Sequence, residues 1–116
     1  MVADDFDGAR EAVRLMLDAL GYDAEGVANG AEAVERLAAE SYAVVVSDVV
    51  MSGVSGLMLA HHVRQRRPDV SFVLMTGQFT REMTDQARHL GVPVLEKPFS
   101  LMALQAAIDE ASTGRK

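Results

Sequence analysis

Five polar residues stand where apolar segments of the chain end, and their types could do chemistry together. Asp4 and Asp5 follow the apolar residues at the start of the chain, and Asp48 follows a long apolar run. Thr76 and Lys97 end two further apolar segments. Carboxylates brought close together repel one another unless a cation lies between them. Because the donors are oxygens and the chain has no cysteine, a hard ion such as Mg²⁺ would fit best.

A carboxylate in such a set can also act as a covalent nucleophile towards phosphorus. The metal and the Lys97 ammonium would then neutralise the charge on the oxygens of a phosphoryl group in transit. The Thr76 hydroxyl would donate a hydrogen bond to one of those oxygens. The residue types therefore fit the transfer of a phosphoryl group to a carboxylate.

Extended apolar runs and amphipathic segments alternate along the chain. Helical spacing of apolar residues covers residues 11–20, 31–40, 57–67, 81–90 and 101–111. Strand-type runs cover residues 22–27, 42–48, 70–75 and 92–95, after an unusually short first strand before Asp4. This alternation predicts an α/β fold, with a parallel sheet covered by helices on both faces. Ligands bind beyond the carboxyl ends of such strands, so the five polar residues are expected to meet at one edge.

Composition and charge restrict the class of protein. The chain, residues 1–116, is long enough for a single domain, and residues 112–116 are predicted to be a frayed tail. A net charge of −6 and an aromatic content of 5% argue against direct nucleic-acid binding. No apolar stretch is long enough for a membrane span, and no signal peptide is visible. The absence of cysteine favours the cytoplasm.

Each polar residue also has an ordinary structural interpretation. Asp4 and Asp5 would suit the N-terminus of the first helix, where they would cap it and compensate its dipole. Thr76 before a glycine is typical of a turn, and Lys97 before a proline is typical of an exposed lysine. Asp48 would then be an ordinary acid at a strand end. Their joint placement at successive strand ends is what makes the set specific.

Four sequence pieces, in the same order, resemble the receiver domain of two-component response regulators over residues 2–112. They are the acidic pair, the loop at residues 48–56, Thr76-Gly77 and Lys97-Pro98-Phe99. The resemblance implies a flavodoxin-like (βα)5 fold, with a five-stranded parallel sheet in the order 2-1-3-4-5 and helices on both faces. It also implies a signalling domain rather than an enzyme, although such a domain assists its own phosphorylation and dephosphorylation.

The resemblance further implies how the acidic residues divide their work. Asp48 would be the phosphoacceptor, which receives its phosphoryl group from a kinase phosphohistidine. Asp5, Asp48 and the backbone carbonyl of Val50 would bind Mg²⁺ directly, and Asp4 would act through water.

Thr76 and Lys97 would bind the phosphoryl oxygens and couple the site to the surface formed by the fourth helix, the fifth strand and the fifth helix. The implied partners are a histidine kinase or histidine phosphotransfer protein, and an output domain or partner protein on that surface. A homodimer is also compatible with the resemblance, whereas direct nucleic-acid binding and membrane insertion are not expected.

Three features depart from the family pattern. Ser52 stands where the family usually has proline, which is expected only to soften the loop. Residues 91–97 form a connection that is one residue short. Val94 stands three residues before Lys97, where the family has an aromatic switch residue. Because an aliphatic side chain cannot swing a ring between buried and exposed positions, the usual threonine–aromatic coupling is in doubt, whereas phosphorylation is not.

Two other functions stay open. Asp5-Phe6-Asp7-Gly8 has the Asp-x-Asp form of aspartate-nucleophile phosphatases, with Asp5 as nucleophile. Against this, the preceding strand is short and the chain leaves no room for a cap domain. Val94 and the short first strand instead favour an interaction module with a receiver fold and no phosphorylation, which need not bind Mg²⁺. The sequence also leaves open whether the chain stands alone or belongs to a larger protein, such as a hybrid kinase.

Overall fold

Strands and helices alternate along the described part of the chain. The computed structural model describes residues 1–113. The strands in this range are β1 (Val2–Ala3), β2 (Gly26–Val27), β3 (Val44–Asp48), β4 (Ser71–Thr76) and β5 (Val94–Glu96). The helices in this range are α1 (Asp7–Ala19), α2 (Gly30–Ala39), α3 (Gly56–Arg66), α4 (Arg81–Leu90) and α5 (Leu101–Thr113).

The strands form one parallel sheet in the order β2-β1-β3-β4-β5. The predicted α/β class and strand order are therefore confirmed. β3 lies at the centre of the sheet, where Val46 is paired with Val2 of β1 and with Val73 of β4. Val46 is fully buried, as its continuous apolar run predicted, because helices cover both faces of a parallel sheet.

Alternate residues of the central strands point into two separate apolar layers. Val45 and Phe72 belong to the layer covered by α2, α3 and α4, and Val46 and Val73 belong to the layer covered by α1 and α5. The largest fully buried helical side chains are Leu17, Leu37, Leu59, Leu104 and Ile108. Burial of each such side chain stabilises the fold by about 1.5–3 kcal/mol. The sheet is therefore held on both faces, which fixes the positions of its strand ends.

The N-terminal elements have different bounds from those predicted. α1 begins at Asp7 rather than at residue 11, through a polar turn that has no apolar periodicity. Arg10 pairs with Asp7 one turn away at 2.6 Å, which stabilises this first turn without any apolar contact. β2 has two residues rather than the predicted six, because its partner β1 offers only two residues for pairing.

The bounds of β5 also differ, because residue 92 completes the preceding helix. Gly91 takes the left-handed conformation, with a φ of 68°, and ends α4. The Val92 amide then donates to the carbonyl of Ala87 at 3.0 Å, so it is not available to the sheet. β5 therefore starts at Val94 rather than at residue 92.

The last helix extends beyond its predicted end at residue 111, into the predicted frayed tail. α5 continues to Thr113, and the Ser112 hydroxyl lies 2.8 Å from the hydroxyl of Ser71 at the start of β4. Residues 114–116, the rest of the predicted tail, lie outside the described residues. The predicted bounds of α4 are confirmed, and each remaining boundary lies within two residues of the predicted one. Within residues 1–113, none of the helices is both long enough and apolar enough to cross a membrane.

Candidate functional site

The structure brings three of the predicted carboxylates together. Asp4, Asp5 and Asp48 each offer an oxygen, and these oxygens lie within 4.8 Å of one another. The pairing of β1 with β3 explains the proximity of Asp4 and Asp48, since Ala3 is in register with Ser47 and an aspartate follows each of these residues. Asp4 is fully buried, Asp48 is half-buried and Asp5 is exposed. The cluster is therefore a product of strand register and lies at the carboxyl edge of the sheet.

Lys97 joins the cluster from the other side. Its Nζ lies 3.3 Å from Oδ2 of Asp4 and 3.3 Å from Oδ2 of Asp48. The Lys97 amide donates to the Thr76 carbonyl at 2.8 Å, so β5 remains tied to β4 up to the edge where the lysine stands. We call Asp4, Asp5, Asp48 and Lys97 the acidic rim. Three carboxylates face one ammonium there, so the rim keeps an excess of negative charge that a divalent cation would compensate.

The electrostatics of Asp48 reflect this crowding. Burial raises the pKa of the Asp48 carboxyl, the Lys97 ammonium lowers it, and the Asp4 carboxylate raises it again, with burial as the largest cause. The net direction is upward, although Lys97 lies within ion-pair distance. The ionised form of Asp48 is therefore held at a cost in free energy, which a bound cation would offset.

Asp4 also holds the start of α1. Its Oδ1 accepts a hydrogen bond from the Phe6 amide at 3.0 Å, and its backbone carbonyl accepts one from Arg10 at 2.8 Å. The N-cap position itself is occupied by Phe6, whose side chain makes no capping bond. One carboxylate oxygen of Asp4 thus supports the turn into α1, as the capping interpretation expects in part. The other oxygen pairs with Lys97 in the acidic rim, as the site interpretation expects.

The loop after β3 is held close to Asp48 by Gly56. The Gly56 amide donates to the Val49 carbonyl at 2.8 Å, and the Val49 amide donates to the Met75 carbonyl at 3.0 Å. A Cβ atom at position 56 would lie 2.1 Å from the Asp48 carbonyl oxygen, so only glycine allows this approach. The Val50 side chain is 74% exposed, and the role of its carbonyl as a metal ligand stays a prediction.

Ser52 is a contact residue that sequence reasoning missed. Its amide lies 3.3 Å and its hydroxyl 3.5 Å from Oδ2 of Asp5, two long hydrogen bonds that join the loop to the rim. These two contacts were not predicted from the sequence, and the softening of the loop by serine stays a prediction. A proline has no N–H and could not make the first bond. The replacement of proline by serine at position 52 was therefore the sequence signal from which this contact could have been found.

Thr76 lies at the same edge of the sheet and is buried, but its hydroxyl is engaged elsewhere. Oγ1 donates to the Gln78 carbonyl at 3.0 Å and accepts from the Gln78 amide at 3.1 Å. The turn interpretation of Thr76 is thus met in this structure. Its predicted hydrogen bond to a phosphoryl oxygen would require the hydroxyl proton to leave the Gln78 carbonyl.

The comparisons with known proteins agree with this geometry. A family model described as "Response regulator receiver domain" matches residues 1–109. The response regulator receiver protein CpdR of Brucella abortus is 30% identical over 95% of this chain and 92% of its own length. This chain belongs to the response regulator receiver domain family. The resemblance inferred from sequence is thereby confirmed, and phosphorylation and Mg²⁺ binding are typical of the family.

Other receiver relatives are larger proteins. The transcriptional regulator NtrC of Escherichia coli is 31% identical over 95% of this chain, and FixJ of Azorhizobium caulinodans is 32% identical over 98%. This chain spans 24% of the length of NtrC and 54% of the length of FixJ. The shared part is therefore the receiver domain of each.

Solved receiver structures have the same fold. TrrA from Thermotoga maritima, in complex with Mg²⁺-BeF, is 26% identical with a TM-score of 0.83, over 95% of both chains. A receiver protein from Pseudomonas putida is 30% identical with a TM-score of 0.83, over 94% of this chain and 93% of its own.

Proposed function

We propose that this receiver domain accepts a phosphoryl group on Asp48 from the phosphohistidine of a kinase or a histidine phosphotransfer protein, in a Mg²⁺-dependent step. The observation that carries the proposal is the acidic rim, in which three carboxylate oxygens lie within 4.8 Å of one another and Lys97 bridges two of the acids. The TrrA structure in complex with Mg²⁺-BeF supports the proposal at the family level.

The donors of the rim fit a magnesium ion. All are oxygens, as Mg²⁺ prefers, and the two more accessible acids, Asp5 and Asp48, would bind the ion directly with the Val50 carbonyl. Asp4 is buried and already accepts hydrogen bonds from Phe6 and Lys97, which suits a contact through water rather than a direct one. The bound ion would neutralise charge on the phosphoryl oxygens as they move.

In the proposed transfer, an Asp48 carboxylate oxygen attacks the phosphorus atom. The new O–P bond forms as the P–N bond of the phosphohistidine breaks, and the bonding electrons leave with the imidazole nitrogen. Lys97, already beside Asp48, would pair with a phosphoryl oxygen. Thr76 would donate its hydroxyl proton to another. The domain thus acts as a switch in a cytoplasmic relay, and does not turn over a separate substrate.

The change at Asp48 would be transmitted to the surface formed by α4, β5 and α5. Thr76 ends β4, which pairs with β5, and Lys97 follows β5, so both groups adjoin that surface. We propose that an output domain or partner protein binds there, and that a homodimer, if it forms, uses the same surface.

A labelling experiment tests the acceptor. Incubation with acetyl phosphate and Mg²⁺ is expected to add one acid-labile phosphoryl group, seen by intact-mass spectrometry. Asp48→Asn should abolish the label, and removal of Mg²⁺ with a chelator should do the same. Asp23→Asn, at an exposed loop position outside the rim, is the matched control and should label normally. A label that survives Asp48→Asn would contradict the assignment of the acceptor.

A receiver-fold interaction module without phosphorylation is the second candidate, because Val94 removes the aromatic side chain on which the family's usual coupling depends. A Mg²⁺ titration separates the two, since the phosphoacceptor needs the ion and the silent module does not. The phosphatase hypothesis has less support, because Asp7 pairs with Arg10 and lies 90% exposed rather than beside Asp5 in the carboxylate cluster.

A further inference from the structure

A pocket lies on the side of the molecule where α4, β5 and α5 meet. Its volume is about 370 Å³. The half-buried side chain of Val94 lines it together with Thr84 and Arg88 of α4 and Glu110 of α5. A cavity of about 150 Å³ already accepts a benzene molecule, so this pocket has room for an aromatic ring. Val94 is aliphatic and leaves that room unfilled.

Phe79 lies against the same pocket from a loop. It is the aromatic residue among those that line the pocket, and its side chain is 44% exposed. It belongs to the loop at residues 77–80 between β4 and α4, which we call the β4–α4 loop. An apolar ring at the mouth of a partly apolar pocket gains free energy by moving inward, because that movement removes apolar surface from water.

The β4–α4 loop is fixed at both ends by single side chains. At its start, the Thr76 hydroxyl makes the two hydrogen bonds with Gln78. At its end, the Thr80 hydroxyl caps α4 by accepting from the Met83 amide at 3.1 Å. Phe79 lies between these two anchors, so the Thr76 anchor controls the freedom of the ring while α4 keeps its own start.

Phosphorylation and the Thr76 anchor compete for one proton. A threonine hydroxyl has a single O–H to donate, and here it donates to the Gln78 carbonyl. A bond from Thr76 to a phosphoryl oxygen on Asp48 would therefore break the bond to Gln78. The start of the β4–α4 loop would lose that restraint in the phosphorylated state only.

We propose that Phe79 is the moving aromatic residue of this domain, and that phosphorylation releases the β4–α4 loop so that the ring enters the pocket beside Val94. This inference rests on the phosphoacceptor function proposed above. The movement would take an exposed ring off the surface and fill the space between Arg88 and Glu110. An aromatic side chain at position 94 would occupy the same space, so the valine and the loop phenylalanine form a complementary pair.

The chain contains no tryptophan, so Phe79→Trp introduces a single fluorescent reporter. On addition of Mg²⁺ and beryllofluoride, which mimics the phosphoryl group, we expect emission to shift to shorter wavelength and acrylamide quenching to fall. Leu15→Trp, on the exposed face of α1, is the matched control and should not respond. Val94→Tyr fills the pocket, and Thr76→Ala removes the anchor. Either change, combined with Phe79→Trp, should abolish the response of the introduced indole.

Fluorine NMR of the same samples reports bound beryllofluoride independently. Binding without any change in the emission of Phe79→Trp would overturn this inference and leave the phosphoacceptor function intact. Absence of binding would overturn both, and a shift towards greater exposure would contradict the inward movement.

Should the tryptophan variant fold poorly, fluorophenylalanine in the otherwise unchanged chain gives four resonances, one for each phenylalanine. The Phe79 resonance, assigned by its loss in Phe79→Leu, must then move on beryllofluoride binding. An unmoved resonance would overturn the inference equally.

Discussion

The acidic rim and the β4–α4 loop lie side by side, and they are held in place in different ways. The residues of the rim stand at or next to the ends of strands whose register is set by a sheet buried on both faces. The loop is held at its start by one threonine hydroxyl. The core therefore fixes the positions of the rim residues, whereas the start of the loop is held by the bonds of a single hydroxyl group.

The largest expected effect comes from Gly56→Ala, which disturbs the rim without touching the loop. The new Cβ would meet the Asp48 carbonyl oxygen at 2.1 Å, so α3 or the end of β3 must shift. We expect a loss of about 3 kcal/mol in the free energy of unfolding, measured by urea denaturation, together with poor labelling of Asp48.

Gly8→Ala is the matched control for this prediction, since position 8 is helical and has no atom within 4 Å of the new Cβ. It should be stabilising by about 0.5–1 kcal/mol. If Gly56→Ala were as stable as Gly8→Ala, the close approach at the end of β3 would not be needed.

The next largest effect is expected for Lys97→Met, which removes the one cation of the rim. Labelling by acetyl phosphate should slow by roughly 100-fold, as expected for loss of a group that stabilises transferring oxygens. Mg²⁺ affinity should rise severalfold, because the ion no longer competes with an ammonium. Lys97→Arg keeps the charge and should leave Mg²⁺ affinity near that of the wild type. Equal Mg²⁺ affinities for wild type and Lys97→Met would contradict this balance of charge.

Asp48→Asn is expected to have a moderate, pH-dependent effect on stability. Because burial raises the pKa of Asp48 in the folded state, stability is lost as the pH rises from the unfolded-state pKa, and the loss is complete above the raised pKa. The cost is absent where both folded and unfolded forms are protonated, below the usual aspartate pKa of about 3.9. Asp48→Asn should therefore melt above the wild type at neutral pH, and the gap should close in acid.

Added Mg²⁺ should also narrow this gap at neutral pH, because the ion stabilises the wild-type carboxylate. Thermal melts of both chains, with and without Mg²⁺, check the prediction. A lower melting temperature for Asp48→Asn at neutral pH would show that the carboxylate is not held at a cost.

The smallest effect is expected for Ser52→Pro, which restores the residue usual in the family and removes both long bonds to Asp5. The bonds are exposed, so the change in free energy of unfolding should stay within about 1 kcal/mol. Mg²⁺ affinity should rise slightly, since Asp5 is freed. Ser52→Ala keeps the amide contact with Asp5 and loses only the hydroxyl contact, so its Mg²⁺ affinity should lie between those of the wild type and Ser52→Pro. A large loss of Mg²⁺ affinity in Ser52→Pro would mean that these bonds position Asp5.

The sequence was sufficient to predict the sheet and the rim, because both follow from where apolar runs end. Residues 42–48 show no polar break until the strand's last two positions, Ser47 and Asp48, and the buried centre of the sheet follows directly from that. The ends of the helices and strands were harder to predict. The first turn of α1 has no apolar periodicity and contains the Asp7–Arg10 ion pair. The Val92 amide bonds to α4 after the glycine that ends this helix, although its apolar side chain made it look like part of the next strand.

Contacts between loops could not be predicted, because they depend on conformation rather than on residue type. The sequence left Thr76 with both a turn interpretation and a site interpretation, and the fold was needed to show its hydroxyl on Gln78. The approach of Phe79 to Val94 joins residues from different elements and needs the bend of the β4–α4 loop. The bonds between Ser52 and Asp5 likewise join residues that lie 47 positions apart in the chain. Residue types thus indicated the chemistry of the site, and the folded structure was needed to show which loop residues contact one another.

The most direct test of the account is a crystal structure of the protein grown with Mg²⁺ and beryllofluoride. The account predicts an ion bound by Asp5, Asp48 and the Val50 carbonyl, with Asp4 reached through water and Lys97 turned towards the fluorides. A structure in which the three acids point apart at saturating Mg²⁺, with no ion among them, would contradict it.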